Sequence, residues 1–191
     1  MNWIGTILVT GGYSCGIFAE LIYHGARLGE IKKKTLAIEA LLFIIWQIAS
    51  LLFGVFIGHL VVATERNIAI GNTAEIVAAA VFALFGTNMI RLRIKNELFH
   101  EKLAPKMRWG ELIIRISVLS IGTLFCGVAL GFLNTTYLSV FVAILLETVL
   151  VVIGGVYVGY RYGEEQKKKA YLLGGLLLFA ATAVTIYYFI I

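Results

Sequence analysis

The sequence predicts an all-α integral membrane protein whose six transmembrane helices form two inverted three-helix repeats. Three observations predict it. Of the 191 residues, 60% are hydrophobic and 14% charged, against about a quarter charged in a soluble domain. The charges cluster between long apolar runs, the integral-membrane pattern. Sequence features of the first half also recur in the second at fixed offsets.

Six apolar segments follow in order: Trp3–Tyr23, Leu36–Ala63, Ala74–Ile90, Gly110–Leu133, Tyr137–Tyr160 and Ala170–Ile191. At about 1.5 Å per residue each can cross a hydrocarbon layer of about 30 Å, the third barely and the second with room to tilt. The first run has no basic residues before it and is expected to be a retained helix rather than a cleaved signal peptide. The only proline, Pro105, lies in a connection. Any break in a membrane helix would therefore come from glycine.

The connections fix the expected orientation. Arg27 and Lys32–Lys34 follow the first segment, Arg91 to Arg108 supply six bases after the third, and Arg161 and Lys167–Lys169 follow the fifth. These odd-numbered connections hold 14 of the 16 bases, which places them in the cytoplasm and both termini outside. The net charge of +5 is explained by this topology and gives no signal for nucleic acid.

Three crossings per half is an odd number, so the second half would be inserted upside down. Trp3, Ile7, Ser14 and Gly16 recur as Trp109, Ile113, Ser120 and Gly122, each 106 positions on. Gly54-Val55-Phe56-Ile57-Gly58 is echoed by Gly155-Val156-Tyr157-Val158-Gly159, 101 positions on. Residues 1–191 are thus expected to form one membrane domain, with repeats at 1–92 and 109–191. The glycine pairs are small-xxx-small motifs, and close helix packing alone accounts for those at 54/58 and 155/159.

Polar groups inside apolar runs mark the candidate site. An ionisable side chain in the bilayer costs about 2.5–3.5 kcal/mol on insertion scales and needs a reason to be there. Gly11–Glu20 combines glycines, Ser14, Cys15 and a carboxylate, and is partly repeated by Ser120–Gly127. Paired interruptions of this kind point to a binding or translocation site. Gln47 lies mid-depth in the second segment, and Glu147 and Thr148 lie at the corresponding place in the fifth. Glu147 is the best-placed carboxylate for cation or proton handling, a structural hydrogen bond being the alternative. Glu20 is placed either to join a site or to snorkel to the interface. Cys15 and Cys126 read as small buried hydrophobes, with soft-metal ligation as the other reading. Glu111 and Arg115 are spaced to pair with each other, Glu39 and Glu75 lie near segment starts, and His59 near an outer end. Asn134-Thr135-Thr136 matches a glycosylation sequon too close to the membrane to carry weight.

Walker loops, dinucleotide fingerprints, HExxH and paired CxxC are absent. An enzyme is not expected, nor is a cofactor, and the length leaves no room for a nucleotide-driven pump.

Ser14-Cys15-Gly16-Ile17-Phe18-Ala19, Phe85-Gly86-Thr87-Asn88-Met89-Ile90, Ser120-Ile121-Gly122, Gly127-Val128-Ala129-Leu130-Gly131-Phe132 and Leu172-Leu173-Gly174-Gly175-Leu176 carry a resemblance. With six helices and a long basic central connection, the chain resembles the MntP-type manganese efflux pumps of the LysE transporter superfamily. The resemblance implies metal-binding aspartates in Ser-x-Asp motifs of the first and fourth helices. Gly16 and Gly122 stand at those positions, and Gln47 near a glutamate of the second helix. A hard divalent ion wants carboxylate oxygens, so the identity of any bound metal stays open. The candidate substrate or ion site is Ser14, Gly16, Glu20, Gln47, Ser120, Gly122, Cys126, Glu147 and Thr148.

The expected function is a small secondary transporter of the bacterial cytoplasmic membrane, exporting a cation in the manner of the manganese exporters or a small polar solute. The alternative is a transport-silent scaffold or subunit of a membrane complex. Expected partners are the lipid bilayer, the transported solute, and a second copy or another membrane protein.

Overall fold

The computed structural model describes residues 3–26, 33–64, 68–94, 109–163 and 165–189. They form six α-helices: α1 (Trp3–Ala26), α2 (Lys33–Thr64), α3 (Ile68–Ile94), α4 (Trp109–Phe132), α5 (Tyr137–Tyr162) and α6 (Glu165–Phe189). Among the described residues no strand is present.

Each helix core follows the apolar run that predicts it, but several ends overrun. α2 begins at Lys33 and α6 at Glu165, because Lys, Glu, Gln and Ala are good helix formers; α3 begins at Ile68 and runs through Gly71 and Asn72 in spite of their low helix preference. Arg161 and Lys167–Lys169 consequently sit on the last turn of α5 and the first turns of α6 rather than in a loop. Gly163 ends α5 at φ 72°, a left-handed conformation that glycine adopts without a Cβ clash, and its N–H donates to the Gly159 carbonyl at 2.9 Å.

Among the described residues, five helices are long and apolar enough to cross a membrane: α1, α2 (Ala40–Ala63), α3 (Thr73–Ile94), α5 and α6 (Glu165–Tyr188). In α4 the described apolar stretch is Ser120–Phe132, shorter than a full span. Outward faces are apolar, as lipid requires: Leu146, Leu150, Ile153 and Tyr157 stand out from α5, and Ile45, Phe53, Phe56 and Leu60 from α2.

Helices adjacent in sequence are not the main packing partners. α1 packs on α5, α2 on α4, and α6 on both α3 and α1. Glycine makes the first two pairings close. On α2, Gly54 lies against the Leu124 carbonyl and Gly58 against the Val128 carbonyl; in return Gly131 lies against the Val55 carbonyl. On α5, Gly155 lies against Phe18 and Leu21 and Gly159 against the Ile22 carbonyl, while Gly25 lies against the Val156 carbonyl. Residue numbers rise together in both pairs, so α1 runs parallel to α5 and α2 parallel to α4. α6 runs antiparallel to α1, since Gly12 meets Gly174 and Leu178 whereas Glu20 meets Tyr171.

The α4–α5 connection is a tight turn. Asn134 takes a left-handed conformation (φ 50°), and the buried Thr135 donates from its backbone and hydroxyl to the Leu130 carbonyl at 3.3 and 2.8 Å. That role in the turn accounts for Thr135 in the apparent sequon. His59 stacks edge-on against Tyr137, ring centroids 4.8 Å apart, beside this turn. The side chains of Glu39, Glu111 and Arg115 lie outside the described residues.

Candidate functional site

Seven of the nine predicted residues gather, in three places rather than one. The first is the α1–α5 contact. Glu147 is half-buried and its two carboxylate oxygens are matched by two hydroxyls: Thr10 donates to Oε1 at 3.0 Å and Ser14 to Oε2 at 3.1 Å. Thr10 and Ser14 are one helical turn apart, so one face of α1 presents both. Gly11 lies between them, and a Cβ there would sit 3.5 Å from Glu147 Oε1. The Thr10 hydroxyl is also 2.9 Å from the Thr6 carbonyl. It has one proton, which can serve the carbonyl or the carboxylate but not both at once. A protonated Glu147 can donate to Thr10 while Thr10 donates to Thr6; an ionised Glu147 accepts the Thr10 hydrogen bond instead. The network thus accommodates both forms of the acid.

The second place is the α2–α4 contact. Gln47 is fully buried (0% exposed) whereas its neighbour Trp46 is 53% exposed, so successive residues face core and lipid. The Gln47 amide donates to Ser120 at 3.5 Å and accepts from the Thr123 hydroxyl, while Ser50 donates to the Ser120 carbonyl at 2.7 Å. Burying an amide between helices requires such partners. Ser14 and Ser120 therefore each meet a polar side chain of the facing helix, Ser14 donating to an acid and Ser120 accepting from an amide.

The third place is a cavity of about 680 Å³ in the half of the bundle where α1, α3 and α5 end and α2, α4 and α6 begin. Gly16, Glu20 and Gly122 line it, with Tyr13, Phe43, Phe85 and Phe125 supplying aromatic wall. Two side chains fill the space beside the glycines. The Met89 methyl stands where a Cβ on Gly16 would go, and the Tyr13 hydroxyl where a Cβ on Gly122 would go. Tyr13 is held edge-on against Phe85 with centroids 5.8 Å apart. Glu20 accepts from the Tyr171 hydroxyl and lies 3.5 Å from Lys167 Nζ.

Cys126 and Thr148 join none of these. Cys126 is a buried free thiol in the core, Cys15 a half-buried one. The buried Thr148 hydroxyl meets no hydrogen-bond partner among the described residues. Among those residues no three His, Cys, Asp or Glu side chains are grouped to hold a metal ion. α1 and α4 run unbroken through their glycines, so their carbonyls stay in the helix ladder. Sequence reading missed Thr10 and Thr123, which carry only the weak signal of hydroxyls one turn from named residues. It also missed Tyr13, Met89 and Tyr171 as cavity residues, which carry none.

The fold and these buried polar pairs define a multi-pass α-helical membrane protein with a solute-sized cavity between its helices. The family model described as "Mntp: Putative manganese efflux pump" matches residues 30–186. The chain belongs to that family. Relatives bearing the MntP name include one from Wolinella succinogenes, 30% identical over 175 residues and covering 92% of each chain. Another from Clostridium botulinum is 28% identical over 187 residues, covering 93% of this chain and 90% of its own. One from Actinobacillus succinogenes is 25% identical over 180 residues, covering 94% and 93%. No solved structure matches the chain significantly.

Proposed function

We propose that the chain is a secondary exporter of a cation across the bacterial cytoplasmic membrane, with the polar pairs of α1–α5 and α2–α4 as the two halves of its translocation centre. The observation that carries the reading is Glu147, a membrane-embedded carboxylate that α1 meets with two hydroxyls rather than with a neutralising base. An intramembrane acid kept at this cost belongs to cation or proton handling by default. Glu147 is the proton- or cation-carrying group, Ser14 and Thr10 hold it, and Gln47, Ser120 and Thr123 form the uncharged half. The relatives are named for manganese efflux, which makes Mn²⁺ the first cargo to try. Family membership favours export over a transport-silent scaffold.

The inverted-repeat reading, with halves at 1–92 and 109–191, draws support from the helix contacts. The contacts Gly54–Leu124, Gly58–Val128 and Val55–Gly131 correspond to Gly155–Phe18, Gly159–Ile22 and Val156–Gly25 once α1 is shifted by 106 and α2 by 101. The distribution of basic residues supports cytoplasmic connections at the end that carries the cavity and outside termini, so the cavity faces the cytoplasm, where an exporter loads.

The test is flux from proteoliposomes of the purified protein under an imposed pH gradient, with Mn²⁺, other divalent ions and small organic cations as cargo. Gradient-dependent flux of one of them is expected. Flux of none, with correctly folded and inserted protein, would refute export.

A further inference from the structure

Lys167, in the first turn of α6, bends back over the end of α1. Its ammonium nitrogen lies 3.5 Å from Glu20 Oε1, 4.5 Å from the centroid of the Tyr23 ring and 5.7 Å from that of Tyr171. The Tyr171 hydroxyl donates to the same Glu20 oxygen. One ammonium is therefore enclosed by one carboxylate and two aromatic faces. The enclosure is partly dry, with the Lys167 side chain 16% exposed and Glu20 31%. An ordinary surface ion pair needs no ring on either side and contributes little. Rings and acid converging on a cation are the arrangement that recognises ammonium ligands.

The enclosure also opens onto the cavity, because Glu20 and Tyr171 line both. About 680 Å³ of space walled by Tyr13, Phe43, Phe85 and Phe125 is of the size and character of a small-molecule site, about 300–1,000 Å³ and mostly apolar. Among the described residues a hard divalent ion would find one carboxylate in this lining, with Asn88, His24 and the Tyr13 and Tyr171 hydroxyls as the other polar side chains, too few anionic oxygens to replace its water. An amphipathic ammonium finds what it needs: the acid and rings for its head, the apolar cavity for its body.

We propose that Glu20, Tyr23 and Tyr171 form a recognition site for amphipathic organic ammonium ions at the mouth of the cavity, and that Lys167 is its tethered occupant. An incoming ligand displaces the Lys167 ammonium, which swings into water on its flexible stem. This names a substrate class for the exporter's cavity and rests on that reading only in treating the cavity as a loading chamber.

The experiment is calorimetric titration of the full chain in detergent with phenethylammonium, and with phenethyl alcohol as its neutral isostere. Saturable binding of the ammonium and none of the alcohol is expected. Lys167→Gln empties the site and removes a competitor, so it tightens phenethylammonium binding about tenfold, the equivalent of about 1.4 kcal/mol; a gain of this kind cannot come from misfolding. Glu20→Gln weakens binding at least tenfold. Equal binding of the alcohol, which would mark a groove for lipid tails, overturns the proposal, as does a Lys167→Gln variant that binds no tighter than the parent. Flux is scored separately. Cation flux without phenethylammonium binding would overturn this site and leave export standing. Binding with Lys167 displacement but no flux of any cation would support the site and refute export.

Discussion

Replacing Gly131 by alanine isolates the contact on which the α2–α4 pairing depends. An added Cβ would lie 2.5 Å from the Val55 carbonyl oxygen, 2.7 Å from Gly58 Cα and 3.0 Å from the His59 nitrogen. All three are backbone atoms of α2, so none can rotate aside. Restoring ordinary contacts of about 3.5 Å requires the helices to part by about 1 Å, a gap that forfeits a quarter to a half of the dispersion energy of each contact along the seam. Overpacking of this kind costs about 1–3 kcal/mol. The helix preference of alanine over glycine returns about 1 kcal/mol, leaving a net loss centred on about 1 kcal/mol. For a chain of this length that corresponds to a fall in Tm of roughly 2–4 °C. Gly154→Ala is the control, because its Cβ would meet only the edge of the Phe18 ring at 3.4 Å, so it should match or exceed the parent. Thermal unfolding of both variants in detergent measures the difference. A Gly131→Ala protein as stable as Gly154→Ala would refute the close backbone contact.

Three further outcomes are expected. Gly16→Ala meets only the Met89 methyl and sulfur, the mobile end of a flexible side chain that can turn aside, so it should lower the unfolding midpoint less than Gly131→Ala does, and an equal or larger loss would contradict the packing described. Gln47→Leu removes an acceptor from the Thr123 hydroxyl and a donor from Ser120; hydrogen bonds between membrane helices contribute about 0.6–2 kcal/mol each, so a loss of about 1–4 kcal/mol should appear on unfolding, and an unchanged midpoint would argue against a paired amide. In a background with Cys15 and Cys126 replaced by serine, Lys102→Cys should react with an impermeant maleimide only in inside-out vesicles; labelling in right-side-out vesicles would reverse the orientation.

How far the sequence discloses the molecule depends on what each residue's role rests upon. The helices are legible because an apolar run long enough to cross lipid has no alternative to the α-helix. Their ends are not, since Lys33 and Glu165 to Lys169 favour helix beyond the apolar limit. The glycine pairs at 54/58 and 155/159 are legible as close-packing residues, and each does lie against a partner backbone. Glu147 is legible as an exceptional carboxylate, but its partners belong to α1, far off in sequence, and the parallel pairing of α1 with α5 follows from tertiary packing alone. Tyr13, Met89 and Tyr171 are opaque for a different reason. An aromatic or methionine in a membrane helix is ordinary, and what distinguishes Met89 and Tyr13 is the empty space beside Gly16 and Gly122 that they fill.

The most direct test of cation export through the paired polar centre is a comparison of Glu147→Gln with the parent in proteoliposomes, read as Mn²⁺ or organic-cation flux against a pH gradient. The amide is isosteric and retains an acceptor for the Thr10 or Ser14 hydroxyl, so the fold should persist while the titrating group is lost. Flux should fall at least tenfold, as expected where general proton or charge handling is removed, with unfolding close to that of the parent. Undiminished flux from a well-folded Glu147→Gln protein would contradict a carrying role for this carboxylate.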